Sequence, residues 1–142
     1  MRAKVKAFLS WMGRAIALVW LLSVTHSAVA ETFNPKEMLT YHPFGNGEAF
    51  LRFAADDTPT TISELGPFAV VNYGKATRCP AGGFYLVNTK RHYYQFIDAG
   101  SCNADLAVTL TRVEDTPTSA VTHRLTFTLH GEIVARYPLY GY

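Results

Sequence analysis

The sequence predicts a single all-β domain of about seven antiparallel strands, folded as a sandwich or a small barrel. The first observation is that short apolar runs recur from residue 48 onward, separated by turn- or loop-sized stretches such as 114–119. The second is that these connections are too short for the crossovers that parallel strands require, so consecutive strands should pair in antiparallel fashion. The third is that no segment after residue 30 has the apolar period of a long helix.

Residues 1–30 have the pattern of a cleaved signal peptide. Positive charge comes first, on Arg2, Lys4, Lys6 and Arg14, and an apolar run follows over residues 15–24. Ala28-Val29-Ala30 supplies the small residues of a cleavage site, so cleavage is predicted after Ala30. The alternative is an uncleaved membrane anchor, which the length argues against because the apolar run of about ten residues is well short of the roughly 20 that cross a bilayer.

Loss of residues 1–30 reverses the sign of the net charge. The chain has 13 Lys and Arg against 11 Asp and Glu, a formal charge of +2. Four of the basic residues lie in the first 30, which leaves 9 basic against 11 acidic residues, a charge of −2. Nucleic-acid binding thereby loses its electrostatic support. The remaining 112 residues suit one domain, 31–142, with an irregular lead-in over 31–44.

The first part of this domain gives weak signals. Within the lead-in, residues 34–39 predict one helical turn, with Asn34 as N-cap and Pro35 at the first helical position. After turn residues 45–47, residues 48–53 alternate and predict a strand. Residues 56–66, which include Asp-Asp-Thr-Pro and Gly-Pro, predict a loop.

The β signal is dense from residue 68 onward. The apolar run FAVVNY, residues 68–73, has the length of a buried strand. Five further strands are predicted over residues 83–88, 93–98, 106–113, 121–129 and 133–137.

A hairpin tip centred on residues 90–91 fixes the register of two of these strands. Residues whose numbers sum to 181 then pair, which places Val87 opposite Tyr94 and Tyr85 opposite Phe96. These four side chains form one apolar and aromatic face. We therefore predict that this face is buried.

The two cysteines outside residues 1–30 are predicted to form a disulfide. The numbers of Cys79 and Cys102 also sum to 181, so a bond between them would hold the base of the same hairpin. An even cysteine count in a small exported domain favours this pairing. The alternatives are a zinc site, which would need more ligands nearby, and a free catalytic thiol.

The last two strands allow two registers. A two-residue turn at residues 130–131 would place Leu125 opposite Arg136. A three-residue connection, residues 130–132, keeps one face apolar throughout, so we predict it. Its pairs are Leu129 with Ile133, Phe127 with Ala135, and Leu125 with Tyr137.

The sequence predicts no catalytic centre, no cofactor and no metal site. His123 shares a face with Leu125 and Phe127, which indicates a hydrogen-bonded histidine at a strand end rather than a metal ligand. The serines lack the Gly-x-Ser-x-Gly pattern of a nucleophile elbow. Asp56 and Asp57 precede Thr-Pro, which is typical of a turn rather than of paired catalytic carboxylates.

These observations favour an exported binding or inhibitory protein that acts through a protein–protein surface, of the hydrolase-inhibitor or immunity type. Tyrosine suits such surfaces because its ring is apolar while its hydroxyl stays in water. The expected partner is another exported protein in the periplasm or outside the cell. Neither nucleic-acid binding nor stable membrane insertion of the mature chain is expected. The predicted binding residues are Lys90, Arg91 and His92 at the tip, with Tyr140 and Tyr142 in the tail.

Three other functions fit the same sequence. A deep apolar pocket lined by Tyr and Phe would favour binding of a small ligand or a glycan. An unpaired edge strand would favour a subunit of an envelope assembly. A hydrolase would require His, Asp and Ser in one cleft.

Overall fold

The computed structural model describes residues 31–45, 51–114 and 120–140. The predicted signal peptide, residues 1–30, lies outside the described residues, and so does Tyr142. The described chain contains a short 3-10 helix, Pro35–Thr40, and eight strands. The strands are β1 (His42–Pro43), β2 (Thr60–Leu65), β3 (Phe68–Tyr73), β4 (Gly83–Asn88), β5 (Tyr93–Ile97), β6 (Leu106–Arg112), β7 (Val121–Leu129) and β8 (Glu132–Tyr140).

The strands form two sheets, with the orders β1-β5-β4-β3-β2 and β6-β7-β8. Every pair of sequential neighbours within a sheet is antiparallel, which confirms the predicted all-β class and pairing. The exception is β1, which returns from the lead-in to pair in parallel with β5. Two residues are enough for this pairing, and so short a strand carries no periodic signal in the sequence.

The two sheets share one apolar core. Phe84 of the larger sheet meets Phe127 of the smaller one edge-on, with ring centroids 5.1 Å apart. A common core between two sheets fits the sandwich alternative better than a closed barrel. The other buried residues of this core are Phe68, Val70, Ala81, Leu86, Ile97, Ala99, Leu110, Leu125 and Leu139.

The lead-in covers the opposite face of the larger sheet. Met38 and Tyr41 are buried there against Val71, Val87 and Tyr94. Strand β3 is therefore covered on both faces, which explains why its sequence is a continuous apolar run instead of an alternation. The predicted helical turn is confirmed, since the Asn34 side chain accepts a hydrogen bond from the Lys36 N–H at 3.1 Å.

The hairpin between β4 and β5 has the predicted register, but the prediction of its buried face was wrong in part. Tyr85 pairs with Phe96 and Val87 with Tyr94, as predicted. Val87 and Tyr94 are buried under the lead-in, whereas Phe96 is 57% exposed beyond the lead-in's reach. The face that contacts the second sheet is the opposite one, which carries Leu86.

Two predictions between residues 48 and 66 were wrong. Residues 51–53 are not in a strand, and residues 48–50 of that predicted strand lie outside the described part. The predicted loop over 56–66 contains β2, which pairs with β3 at the sheet edge. Its side chains alternate between exposed and half-buried. Because four of its six residues are polar (Thr60, Thr61, Ser63 and Glu64), its sequence lacks the apolar run or alternation that predicts a strand.

The last hairpin has the two-residue turn of one register and, beyond a bulge, strand pairs of the other. His130 and Gly131 form a two-residue turn with φ of 51° and 84°, as in a type I′ turn, so the predicted three-residue connection was wrong. Leu129 therefore pairs with Glu132. Ile133 pairs with Thr128 instead of with Leu129, and Val134 is then an extra residue in β8, so that the other two predicted pairs form beyond this bulge. Phe127 again faces Ala135, and Leu125 faces Tyr137.

Candidate binding cleft between the two sheets

A cleft of about 420 Å³ opens between the edges of the two sheets, where β1 and β5 of one approach β8 of the other. Its volume lies within the range of small-molecule sites in proteins, roughly 300–1,000 Å³. The cleft is lined by Phe44, Phe68, Leu86, Arg91, Tyr93, Gln95, Pro138, Leu139 and Tyr140.

The floor of the cleft is continuous with the core, and its rim is aromatic. Phe68, Leu86 and Leu139 are buried and belong to the core between the sheets. Phe44 and Tyr140 remain 55% and 46% exposed at the rim. Single exposed apolar side chains are common, but here two exposed aromatic rings lie beside one apolar opening.

Hydrogen bonds around Asn88 hold the hairpin tip in one conformation. The buried Asn88 side chain accepts from the backbone N–H groups of Lys90 and Arg91, at 3.1 and 2.9 Å. The backbone carbonyl of Asn88 accepts from the N–H of His92 at 2.9 Å, and His92 adopts a left-handed φ of 58°. An Asn that bonds the backbone two and three residues ahead forms a typical turn. This turn places Arg91 in the wall of the cleft.

Of the five residues predicted to bind a partner, the structure brings Arg91 and Tyr140 together in the cleft. Lys90 is exposed on the adjacent tip and does not line it. His92 stacks on Tyr41 with ring centroids 4.7 Å apart, and its carbonyl accepts from the His42 N–H at 3.0 Å. These contacts give His92 a structural role, since they attach the lead-in to the tip.

Sequence reasoning missed Phe44, Tyr93 and Gln95. The parallel pairing of His42–Pro43 with β5 brings Phe44 to the cleft, where its N–H donates to the Tyr94 carbonyl at 2.7 Å. The Phe44 and Tyr93 rings then pack with centroids 5.0 Å apart. The pairing of β1 with β5 has no short-range signature, so the sequence held no indication of these contacts.

Among the described residues that line the cleft, Arg91 is the one with a charged side chain. On the other wall, Arg136 lies two residues before Pro138 and therefore on the same side of β8. Arg124 of β7 pairs directly with Pro138. Both arginines are exposed, and neither forms an ion pair within the described part of the chain.

The described residues contain no group of three His, Cys, Asp or Glu that could hold a metal ion.

His123 is buried on the face predicted for it, and its Nδ1 lies 2.8 Å from the Thr122 hydroxyl. In the same part of the chain, His130 Nε2 lies 3.1 Å from the Asp105 carboxylate, in an exposed position. No helix among the described residues is long and apolar enough to cross a membrane.

The predicted disulfide is present between Cys79 and Cys102, whose Cα atoms are 4.6 Å apart. The adjoining backbone is bonded as well, since the Ala81 N–H donates to the Cys102 carbonyl at 3.0 Å. The disulfide thus fixes the base of the hairpin whose other end carries Arg91.

Comparison of this chain with models of protein families, with curated proteins and with solved structures finds no match.

Proposed function

We propose that this protein is an exported β-sandwich that binds, and thereby inhibits or protects, another exported protein through the cleft between its two sheets. The observation that carries the proposal is that Arg91 and Tyr140, which are far apart in the sequence, line one apolar opening. Tyr and Arg are enriched among the residues that dominate protein interfaces. The predicted signal peptide and the disulfide both fit a protein that functions in an oxidising compartment.

The construction of the cleft supports this proposal. The Asn88 side chain and the disulfide hold the two ends of the hairpin, so Arg91 is presented on a rigid support. Rigid presentation lowers the entropy lost on association and favours a specific complex.

The experiment that tests the proposal is recovery of the processed protein from a periplasmic extract, followed by identification of associated molecules by mass. We expect one stoichiometric protein partner with the wild type, and loss of that partner with the double variant Arg91→Glu/Tyr140→Ala. The matched control is Arg78→Glu, an exposed arginine beyond the opposite end of the hairpin. Equal capture by the wild type and the cleft variant would show that the cleft is not the contact surface.

A second candidate function is binding of a small apolar ligand. It is favoured by the size of the cleft and by its lining, which includes Phe44, Phe68, Tyr93 and Tyr140. The same experiment distinguishes the two, because recovery without a protein partner but with a bound small molecule in the native mass spectrum would establish the second.

A further inference from the structure

We propose that the cleft recognises an acidic segment of the partner protein, in which one large apolar side chain next to carboxylates enters the opening between the sheets. This inference rests on the proposed function, because it names the chemistry that the same site recognises.

The floor of the cleft fits an apolar anchor. Phe68, Leu86 and Leu139 form its base, and burial of an apolar side chain there would extend the core outward. The exposed rings of Phe44 and Tyr140 flank the entrance and would cover the sides of an inserted group. A side chain inserted in such a pocket and surrounded by a rim that excludes water is the usual source of binding energy at interfaces.

The edge of β8 does not favour addition of a partner strand. Pro138 has no N–H to offer to an incoming chain. The loop after β5 approaches this strand as well, since Tyr137 donates its hydroxyl proton to the Asp98 carbonyl at 2.5 Å. Gly100 lies so close to Val134 that an added Cβ would come within 2.9 Å of the Val134 carbonyl oxygen. A side chain is therefore a better occupant of this cleft than an extended backbone.

The charges beside the entrance select for carboxylates. Arg91 forms part of one wall, and its guanidinium has five N–H donors, more than a single carboxylate uses. Arg124 and Arg136 extend the positive surface across the outward face of β7 and β8. Their outward neighbours on β6 and β7 are threonines at 109, 111 and 126, which carry no charge.

Of the acidic residues in the described chain, Glu132 lies away from this entrance, whereas Glu114 follows β6 at the end of the sheet where Val121 pairs with Tyr140. Glu132 is at the other end of β8, eight residues from Tyr140, a distance of about 26 Å along an extended strand. Asp98 accepts the Gly100 N–H through Oδ1 at 2.9 Å. Because residues 31–142 carry a net charge of −2, a local group of three arginines stands out against the rest of the domain. Such complementarity steers a negatively charged partner to the site.

Two matched peptides test this inference. Residues 31–142 contain no tryptophan, because both tryptophans of the chain lie within residues 1–30. The indole emission of a peptide therefore reports binding to the processed protein without background. The probes are the acidic peptide acetyl-Gly-Trp-Glu-Asp-Gly-amide and its uncharged counterpart acetyl-Gly-Trp-Gln-Asn-Gly-amide. An intact mass of the purified protein establishes that residues 1–30 have been removed.

We expect a saturable blue shift of the indole emission with both peptides and tighter binding of the acidic one at low salt. Arg91→Gln and Arg136→Gln should each reduce the affinity for the acidic peptide about threefold and leave that for the uncharged peptide unchanged. Tyr140→Ala should weaken both peptides, and Arg78→Gln should weaken neither. Addition of salt should remove the difference between the two peptides.

Three results would overturn the inference. Equal affinity for the two peptides would show that carboxylates are not selected, while cleft-dependent capture of a protein partner would still support the proposed function. Tighter binding of decanoate than of the acidic peptide, with displacement of the peptide, would assign the cleft to a free acyl carboxylate. Absence of any indole shift would show that the cleft does not accept an apolar anchor.

Discussion

At the scale of single residues, His123 is a titratable group with a buried and crowded environment. Its buried Nε2 has no hydrogen-bond partner in the described part of the chain, and its ring meets Phe68 edge-on at 5.1 Å. A Cβ added at Gly66 would lie 3.0 Å from that nitrogen. Burial first, and the positive charge of Arg112 second, lower the pKa of His123 below its ordinary value of 6.5.

This environment predicts loss of stability in acid. Above pH 6.5 the imidazole is neutral in both the folded and the unfolded chain, and its contribution is constant. As the pH falls through 6.5, the unfolded chain takes up a proton that the folded state binds more weakly, so the free energy of unfolding decreases until the folded-state pKa is passed. Urea unfolding at several pH values between 8 and 5 should show a smaller decrease for His123→Gln than for the wild type. Identical pH profiles would refute this assignment.

Gly82 is a second residue whose local geometry predicts the effect of a substitution. Its φ is 74°, and an added Cβ would come within 2.4 Å of the Tyr73 carbonyl oxygen. Gly82→Ala combines an unfavourable backbone conformation with a steric clash, so we expect a loss of about 2–4 kcal/mol in the free energy of unfolding. Gly131→Ala is the matched control, because its φ is 84° but nothing lies within 4 Å of the added Cβ. Its loss should be about 1 kcal/mol by chemical denaturation, and equal losses would contradict the steric part of the argument.

At the scale of elements, the hairpin of β4 and β5 is held at both ends. Asn88 bonds the backbone at the tip, and the Cys79–Cys102 disulfide joins the segments that precede β4 and follow β5. The register of the hairpin depends on these local features, which explains why the spacing of residues about the tip predicted it.

Removal of the disulfide should destabilise the domain without changing this register. For a sequence separation of 23 residues, the chain-entropy estimate is about 3 kcal/mol for Cys79→Ser/Cys102→Ser. Chemical denaturation of the wild type in reductant should show the same loss, and reductant should not affect the variant. A loss below about 1 kcal/mol in both measurements would show that the hairpin base is held mainly by backbone bonds and packing.

At the scale of the whole molecule, the larger sheet is covered on two sides by different parts of the chain. One face packs on the second sheet, and the other is covered by the lead-in through Met38 and Tyr41. The lead-in also continues into β1 and Phe44, so it connects the packing of the sheet to the rim of the cleft.

Truncation of Met38 tests the contribution of the lead-in. Met38 is fully buried, so Met38→Ala should reduce the free energy of unfolding by about 2–5 kcal/mol through lost contacts and the resulting cavity. Leu39→Ala is the matched control, because Leu39 is 53% exposed and should cost less than about 0.5 kcal/mol. Both values are measurable by thermal or urea unfolding. Equal effects of the two substitutions would mean that the lead-in is not part of the cooperative unit.

The sequence by itself determined the features that depend on neighbouring strands. The β4–β5 register, the disulfide and the apolar pairing of Phe127 with Ala135 follow from side-chain alternation and cysteine spacing, which act over short distances along the chain. It could not show that a bulge at Val134 makes a two-residue turn compatible with that pairing, because turn length and register are independent once an extra residue is inserted.

The tertiary structure alone decided which predicted residues share a site. Arg91 and Tyr140 line the same cleft because the tip of one sheet lies beside the last strand of the other, while His92, adjacent to Arg91 in sequence, stacks on Tyr41. The parallel contact of β1 with β5 adds Phe44 to the same cleft. The physical reason is that periodicity specifies which face of a strand is apolar, whereas the packing of both sheets together decides what that face meets.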